Sequence, residues 1–231
     1  MKIISNDRLI RRNNRIGLAA TFIGLIVLGG GMFISFRYPE LVLYSMLALL
    51  LGFVLSQVGI YYSNRWGRSP RPDEVIDQSL KGLDTKYTIY HFSTPVSHLL
   101  VGPAGVWILQ PHQQRGTISF SKGRWTQKGG NWYLKLFAQE GIGRPDIEVS
   151  QETGKLKEFF LQHFGEERIP PINTALVFLN PRAEIDIPEE ANPPAETVQI
   201  GKLKDFLRKY SRTKSLSMAT VEEINQLFSQ D

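Results

Sequence analysis

Two long, uninterrupted apolar stretches open the chain, and everything after them is short and punctuated. From Ile16 to Phe36 there are 21 residues without a charge, and from Leu41 to Tyr62 another 22. About 20 residues of helix cross a hydrocarbon core of ~30 Å, so both stretches predict spanning helices. Arg37-Tyr38-Pro39-Glu40 between them is long enough only for a tight turn. A cleaved signal peptide is the rival for the first stretch. That stretch exceeds the usual apolar region of ~7–15 residues, lacks a small-x-small cleavage pattern and is followed at once by a second span. Small residues at Ala20 and Gly24, and at Ala48, Gly52 and Ser56, recur at every fourth position and predict where the two backbones meet. Neither span carries an ionisable group, so an anchor is expected rather than a transport path. Tyr38, Tyr61, Tyr62 and Trp66 fall where an interfacial aromatic belt would lie.

Beyond the spans the periods shorten. Ser69-Pro70-Arg71-Pro72 breaks the second helix and closes a linker over 63–72. Asp73 and Glu74 open a helix whose apolar face is Val75, Ile76, Leu80 and Leu83. Tyr87 to Phe92 alternates as a strand. Leu99–Val101 and Val106–Leu109 flank Gly102-Pro103-Ala104-Gly105, a turn composition that predicts a hairpin. If the second strand continues, Gln110 and His112 share one of its faces. Pro111 between them lacks a ladder donor and predicts an edge or distorted strand. Further strands are expected at Thr117–Phe120, Gly123–Thr126 and Asn131–Leu136. Leu156, Phe159, Phe160 and Phe164 mark an amphipathic helix from about Ser150 to Phe164, stopped by Gly165. Ile172–Leu179 has the run of a strand buried on both faces. Residues 182–197 are acidic and proline-rich and predict a loop, followed by a short strand at Val198–Ile200. A helix through Leu203, Phe206, Leu207 and Tyr210 comes next, and Thr220 with Glu223 reads as a capping box for a last one. The expected class is α/β, a mixed sheet with packed helices over 73–231.

Composition alters this picture in two places. The chain of 231 residues has no cysteine, which excludes disulfides, thiolate metal sites and cysteine nucleophiles. Its net charge of +5 is unevenly spread. Residues 1–72 hold nine Lys and Arg against Asp7 and Glu40, a net +7, and the remainder is −2. The basicity therefore belongs to the membrane flanks, which weakens any reading as a general polyanion binder. Arg8, Arg11, Arg12 and Arg15 before the first span, and Arg65, Arg68 and Arg71 after the second, predict that both ends face the cytoplasm, with 1–15 as a basic cytoplasmic N-terminus. The expected location is the cell membrane.

The hairpin carries a resemblance. Ser97-His98, Leu99-Leu100-Val101, Gly102-Pro103, Gly105-Val106-Trp107-Ile108-Leu109, Gln110-Pro111-His112 and Gly116, with Trp125 closing a later strand, resemble the nuclease-related domain of the PD-(D/E)xK nuclease superfamily. The match spans roughly residues 70–230 and implies a restriction-endonuclease-like fold. It also implies metal-assisted phosphodiester hydrolysis, in which an Asp and a Glu hold Mg²⁺, a Lys two residues beyond serves the attacking water, and a helical Glu supports the site. Carried onto this sequence, the helical Glu is Glu74, but the Asp position is Ser97, the Glu position Gln110 and the Lys position His112. A hydroxyl and a carboxamide replace two carboxylates poorly, and a neutral imidazole does not replace a standing positive charge.

The resulting expectation is a catalytically silent nuclease-like domain tethered to the membrane, binding or scaffolding, with no cofactor. The alternative is an active Mg²⁺-dependent DNA endonuclease with relocated ligands, drawn from Asp73, Glu74, His98, Gln110 and His112. A second alternative is a protein-interaction scaffold without a nucleic-acid role, docking through a sheet edge or the acidic stretch Glu184–Glu196. Arg115, Lys122, Arg124, Lys128 and Lys135, with Trp125, Trp132 and Tyr133, form an acid-free stretch suited to a nucleic-acid backbone or anionic lipid. The bland reading of that stretch is a solvated strand face with core tryptophans. His91 and His163 lack partners at ligand spacing and read as structural. The basic positions of the helix near Lys202–Lys214 read as the outer side of a helix packed on the sheet.

Overall fold

A computed structural model describes residues 1–129, 141–188 and 190–229. The expected strand at Asn131–Leu136, Lys135 within it, and Trp132 and Tyr133 lie outside these residues. The chain forms two compact units, one from Met1–Asn6 together with the described residues from Pro72 onward, the other from Asp7–Arg71. The second unit is thus an insertion in the first.

The inserted unit is a helical hairpin of α1 (Asp7–Arg37), a 3₁₀ turn (Pro39–Leu41), α2 (Val42–Tyr62) and a π turn (Ser63–Gly67). Both helices are long and apolar enough to cross a membrane. Gly24, Ala48, Gly52 and Ser56 lie at the contact between the helices as expected, and the fully buried positions recur mostly at every seventh residue. Ile10, Gly17, Gly24 and Gly31 are buried on α1, and Ser45, Gly52, Gly59 and Trp66 on the return. A Cβ on Gly24 would lie 2.9 Å from Ser56 Oγ, and one on Gly52 would lie 2.9 Å from the Leu28 nitrogen. Only glycine allows that approach, and the seven-residue spacing is the period that keeps a seam facing its partner. Ala20 is only half-buried beside it. Phe22, Ile26, Phe33, Leu43 and Leu50 point outward and are exposed.

Residues 1–15 do not form a tail. Lys2–Ser5 is β1, an edge strand paired in parallel with β2 (Thr88–His91), and α1 starts one residue after Asn6. Alternation explains β1, because Ile4 packs on the core while Ile3 faces out. The remaining elements of the α/β unit are α3 (Pro72–Leu80), β3 (His98–Gly102), β4 (Gly105–His112), β5 (Gly116–Ser121), β6 (Arg124–Lys128), α4 (Pro145–Phe164), β7 (Ile172–Phe178), β8 (Ala183–Asp186), β9 (Glu196–Gln199), α5 (Leu203–Thr213) and α6 (Met218–Leu227). The main sheet is mixed, in the order β1-β2-β3-β4-β7-β9, and a second sheet runs β6-β5-β8. Strand β8 lies inside the stretch expected to be loop; only four residues long, it is recruited by parallel pairing with β5.

Each face of the main sheet buries its own helices. On one, Ile76 and Leu80 of α3 and Leu203 and Leu207 of α5 pack on Ile89, Leu100, Trp107 and Leu109. On the other, Leu156 and Phe160 of α4 and Val221 and Ile224 of α6 pack on Tyr90, Leu99, Val106 and Ile108. The cations of α5 have a local use: Lys204 Nζ and Arg208 Nη2 donate to the carbonyls of Lys81 and Gly82, just past the carboxyl end of α3. Helix α4 begins at Pro145, five residues before its apolar stripe becomes visible. The last helix is capped by Ser217, whose hydroxyl accepts from the Thr220 nitrogen, so Thr220 is inside the helix and not its cap.

Pro111 sits in a central strand, opposite Val177 of β7. The His112 carbonyl accepts from the Leu179 nitrogen on the β7 side, so the Pro111 nitrogen turns toward β3. The β3–β4 ladder has already ended there, with Leu99 opposite Ile108, and the missing N–H costs no sheet bond.

Candidate functional site

The register gathers the chemistry at one end of the sheet. His98 begins β3 opposite His91 at the end of β2, and Gln110 and His112 end β4 opposite Leu176 and Phe178 of β7. Carried two residues beyond its last pair, the β3–β4 register puts Ser97 across from Gln110. The pleat then divides these side chains between the faces. Gln110 and His112 follow Val106 and Ile108 to the side of α4, whereas His91 and His98 follow Ile89 and Leu100 to the side of α3.

On the α4 side, Ser97 Oγ donates to Glu152 Oε1 at 3.2 Å. One residue on, the Thr153 and Thr174 hydroxyls are 3.2 Å apart, which fixes where α4 crosses β7. Gln110 is 6 % exposed, and both its amide nitrogen and its amide oxygen are buried without a hydrogen-bond partner. His112, equally buried, stacks on Phe178 with ring centroids 5.4 Å apart, and its Nε2 also lacks a partner. Burial pushes the His112 imidazole down to about 4, with Gln114 beside it acting weakly the other way, so the ring is neutral near pH 7. Unpaired buried polar atoms of this kind cost about 1–3 kcal/mol each.

Glu74 does not join this group: it is exposed on α3, which packs on the other face. The carboxylate that does reach the site is Glu152, where the sequence offered no second acid. Its signal was available in the helix pattern. Glu152 falls on the apolar stripe with Val149 and Leu156, three residues after one and four before the other, and an acid on a buried stripe asks for a partner. On the α3 side the same holds for Asp77, which lies next to Ile76 on the packed face. His91 Nε2 is 3.0 Å from Asp77 Oδ1, and its Nδ1 is 2.8 Å from His98 Nδ1. His91 is therefore one member of a bonded chain. His163 is exposed and bonds only its own helix, at the Phe159 carbonyl.

These residues do not fit the Mg²⁺ that the resemblance implies. Mg²⁺ requires near-octahedral oxygen ligands with carboxylate charge, and here a hydroxyl, a buried carboxamide and a neutral imidazole occupy the corresponding positions, with one acid beside them. Among the described residues no three His, Asp or Glu side chains gather as metal ligands.

The basic stretch is divided by its strands. Lys122, Arg124 and Lys128 are exposed on the outer face of the small sheet, in a hairpin whose turn residues Lys122 and Gly123 both have positive φ, as a two-residue turn of that kind requires. The backbone carbonyl of half-buried Arg115 accepts from Gln127 Nε2. Trp125 faces inward, 8 % exposed, and packs with Phe120, Val149 and Phe178, so it presents no stacking surface. A cleft of about 440 Å³ lies beside it, lined by Gly123, Arg124, Gly143, Arg144 and Asp146. Asp146 already holds Arg144 at 3.1 Å in that cleft.

No family model, curated protein or solved structure matches the chain.

Proposed function

We propose that the chain is a membrane-anchored, nuclease-like domain of restriction-endonuclease type whose hydrolytic positions have been replaced, and that it acts by binding or scaffolding at the cytoplasmic face. The single observation that carries this reading is the neutrality of the donors on the α4 face. Ser97 gives its hydroxyl to Glu152, Gln110 carries no charge, and His112 is held deprotonated by burial. A site whose one standing charge is the Glu152 carboxylate, already bonded to Ser97, is a poor holder of a hard cation and does not offset the developing negative charge of a phosphodiester transition state. The glycine turn and the apolar β3–β4 pair support the nuclease-like part, and the arginines flanking the apolar helices support the cytoplasmic placement.

Glu152 favours one second reading, an active nuclease with a relocated acid. The full chain in detergent, incubated with plasmid and single-stranded DNA and Mg²⁺ or Mn²⁺, separates the two. No cleavage is expected. Cleavage that is lost in Glu152→Gln would establish the second reading. The full chain is needed because a fragment starting near residue 70 lacks β1.

A further inference from the structure

The two faces of the α/β unit differ in charge, and the proposed function makes no use of that difference. On one face α5 and its ends present six lysines and arginines between Lys202 and Lys214, and Lys81 and Lys86 join them beyond the end of α3. These stretches form one surface, because Lys204 and Arg208 donate to the carbonyls of Lys81 and Gly82. Over 81–86 and 202–214 eight cations meet only Asp84 and Asp205, a net +6. Arg208 is 3.7 Å from Asp205, but Lys81, Lys202, Lys209 and Arg212 are exposed and form no ion pair among the described residues. Phe206 and Tyr210 turn their rings edge-on to Trp107, so this surface attracts chiefly by charge.

The opposite face is acidic. Helix α4, the turn Glu166–Arg168 and α6 together hold eight acids and three cations, a net −5. Arg168 Nη1 lies 3.5 Å from Glu223 Oε1 and so draws the turn to α6, which leaves Glu166, Glu167 and Glu222 exposed around one neutralised pair.

Like charges gathered on one surface repel one another, and each face is relieved by its opposite. A uniformly charged partner, such as a lipid surface or a nucleic acid, answers one face and leaves the other unmet. A second copy of the chain answers both. Residues 73–231 as a whole carry only −2, so two copies repel weakly.

We propose that the α5 face of one copy docks on the α4/α6 face of the next. Because the two surfaces are unlike, the contact is heterologous and repeats from copy to copy until it closes. It needs nothing of the site at Ser97, Gln110 and His112.

The chain has no cysteine, so a thiol introduced by Ser121→Cys, at an exposed position, takes a single dye. Full-length copies carrying donor or acceptor are reconstituted together in phosphatidylcholine vesicles, whose lipid has no net charge. Energy transfer above the level of random encounter is expected at ~0.1 M salt and is lost at ~1 M, where the Debye length has contracted from about 10 Å to about 3 Å. Lys209→Glu with Arg212→Glu abolishes it, and so does Glu166→Lys with Glu167→Lys. Mixing donor-labelled copies of the first variant with acceptor-labelled copies of the second restores transfer, because an intact α4/α6 face then meets an intact α5 face. Random-level transfer in the native chain, transfer that ignores salt, loss in only one of the two variants, or a mixture without transfer overturns the proposal.

Discussion

Ser97 and Glu152 are 55 residues apart in the chain and one hydrogen bond apart in space, 3.2 Å from hydroxyl to carboxylate. That bond ties α4 to the start of β3 and occupies the position at which a second acid would create a cation site. Ser97→Asp places two carboxylates together, and like charges at that range disfavour joint ionisation. The expected result is a thermal midpoint several degrees lower at pH 7.5, recovered by millimolar Mg²⁺, whereas Ser97→Ala loses only about 1 kcal/mol and gains nothing from Mg²⁺. Differential scanning fluorimetry with and without the ion tests both.

His112 predicts an acid limb in stability. Its folded value of about 4 lies below the ordinary 6.5 because burial disfavours the charged ring, so the folded state binds fewer protons than the unfolded one. The stabilisation is complete above pH ~6.5 and is lost as the pH falls toward ~4, about 2 kcal/mol of it by pH 5. His112→Phe keeps a ring on Phe178 and removes both the proton site and the unpartnered Nε2. Urea unfolding at pH 7.5 and pH 5 should show a smaller difference for this variant than for the native chain; an equal difference would exclude His112 as the source.

The glycines of the hairpin separate into two kinds. A Cβ on Gly52 would lie 2.7 Å from Leu28 Cγ, whereas Gly29 and Gly30 have nothing within 4 Å. Gly52→Val is expected to split the helix pair, read as loss of energy transfer between labels on α1 and α2 in micelles. Gly29→Ala and Gly30→Ala should each leave the pair intact and stabilise α1 by up to about 1 kcal/mol through helix propensity.

Strand β1 predicts a folding defect from a residue outside any site. Ile4 packs on the core under the sheet edge, and Ile4→Asp puts a charge there. With β1 released, β2 becomes an open edge, which invites association. Size-exclusion chromatography should show aggregates for Ile4→Asp and a native profile for Ile3→Asp, whose side chain faces out.

The sequence made the apolar helices, the glycine hairpin and β7 readable, because each has a strong period or an unambiguous turn. Other features depended on distant partners. Strand β1 is four residues beside a helix start and becomes a strand only by pairing with residues 88–91. The four-residue spacing picks out Gly24, Ala48, Gly52 and Ser56 of the contact, but Gly17, Gly31 and Gly59 are set apart from Gly29 and Gly30 only by their close approach to the facing helix. At the site, Gln110 and His112 were placed on one face correctly by alternation. Glu152 and Asp77 meet Ser97 and His91 only across the fold, so no spacing along the chain announces them, although both acids lie on buried helix stripes.

The insertion of the helical hairpin between β1 and α3 sets an order of assembly. Lys2 can pair with Thr88 only after the chain between them has been made, a loop whose closure would be entropically costly if it were unstructured. The hairpin removes most of that cost, because packing α1 on α2 brings Asn14 beside Gly67 and returns the chain to within a few residues of where it left. During synthesis β1 therefore waits unpaired until β2 has been made. A defect in helix association would thus emerge as an exposed β2 in the α/β unit, and the state of the apolar hairpin would be recorded in the solubility of a domain it does not belong to.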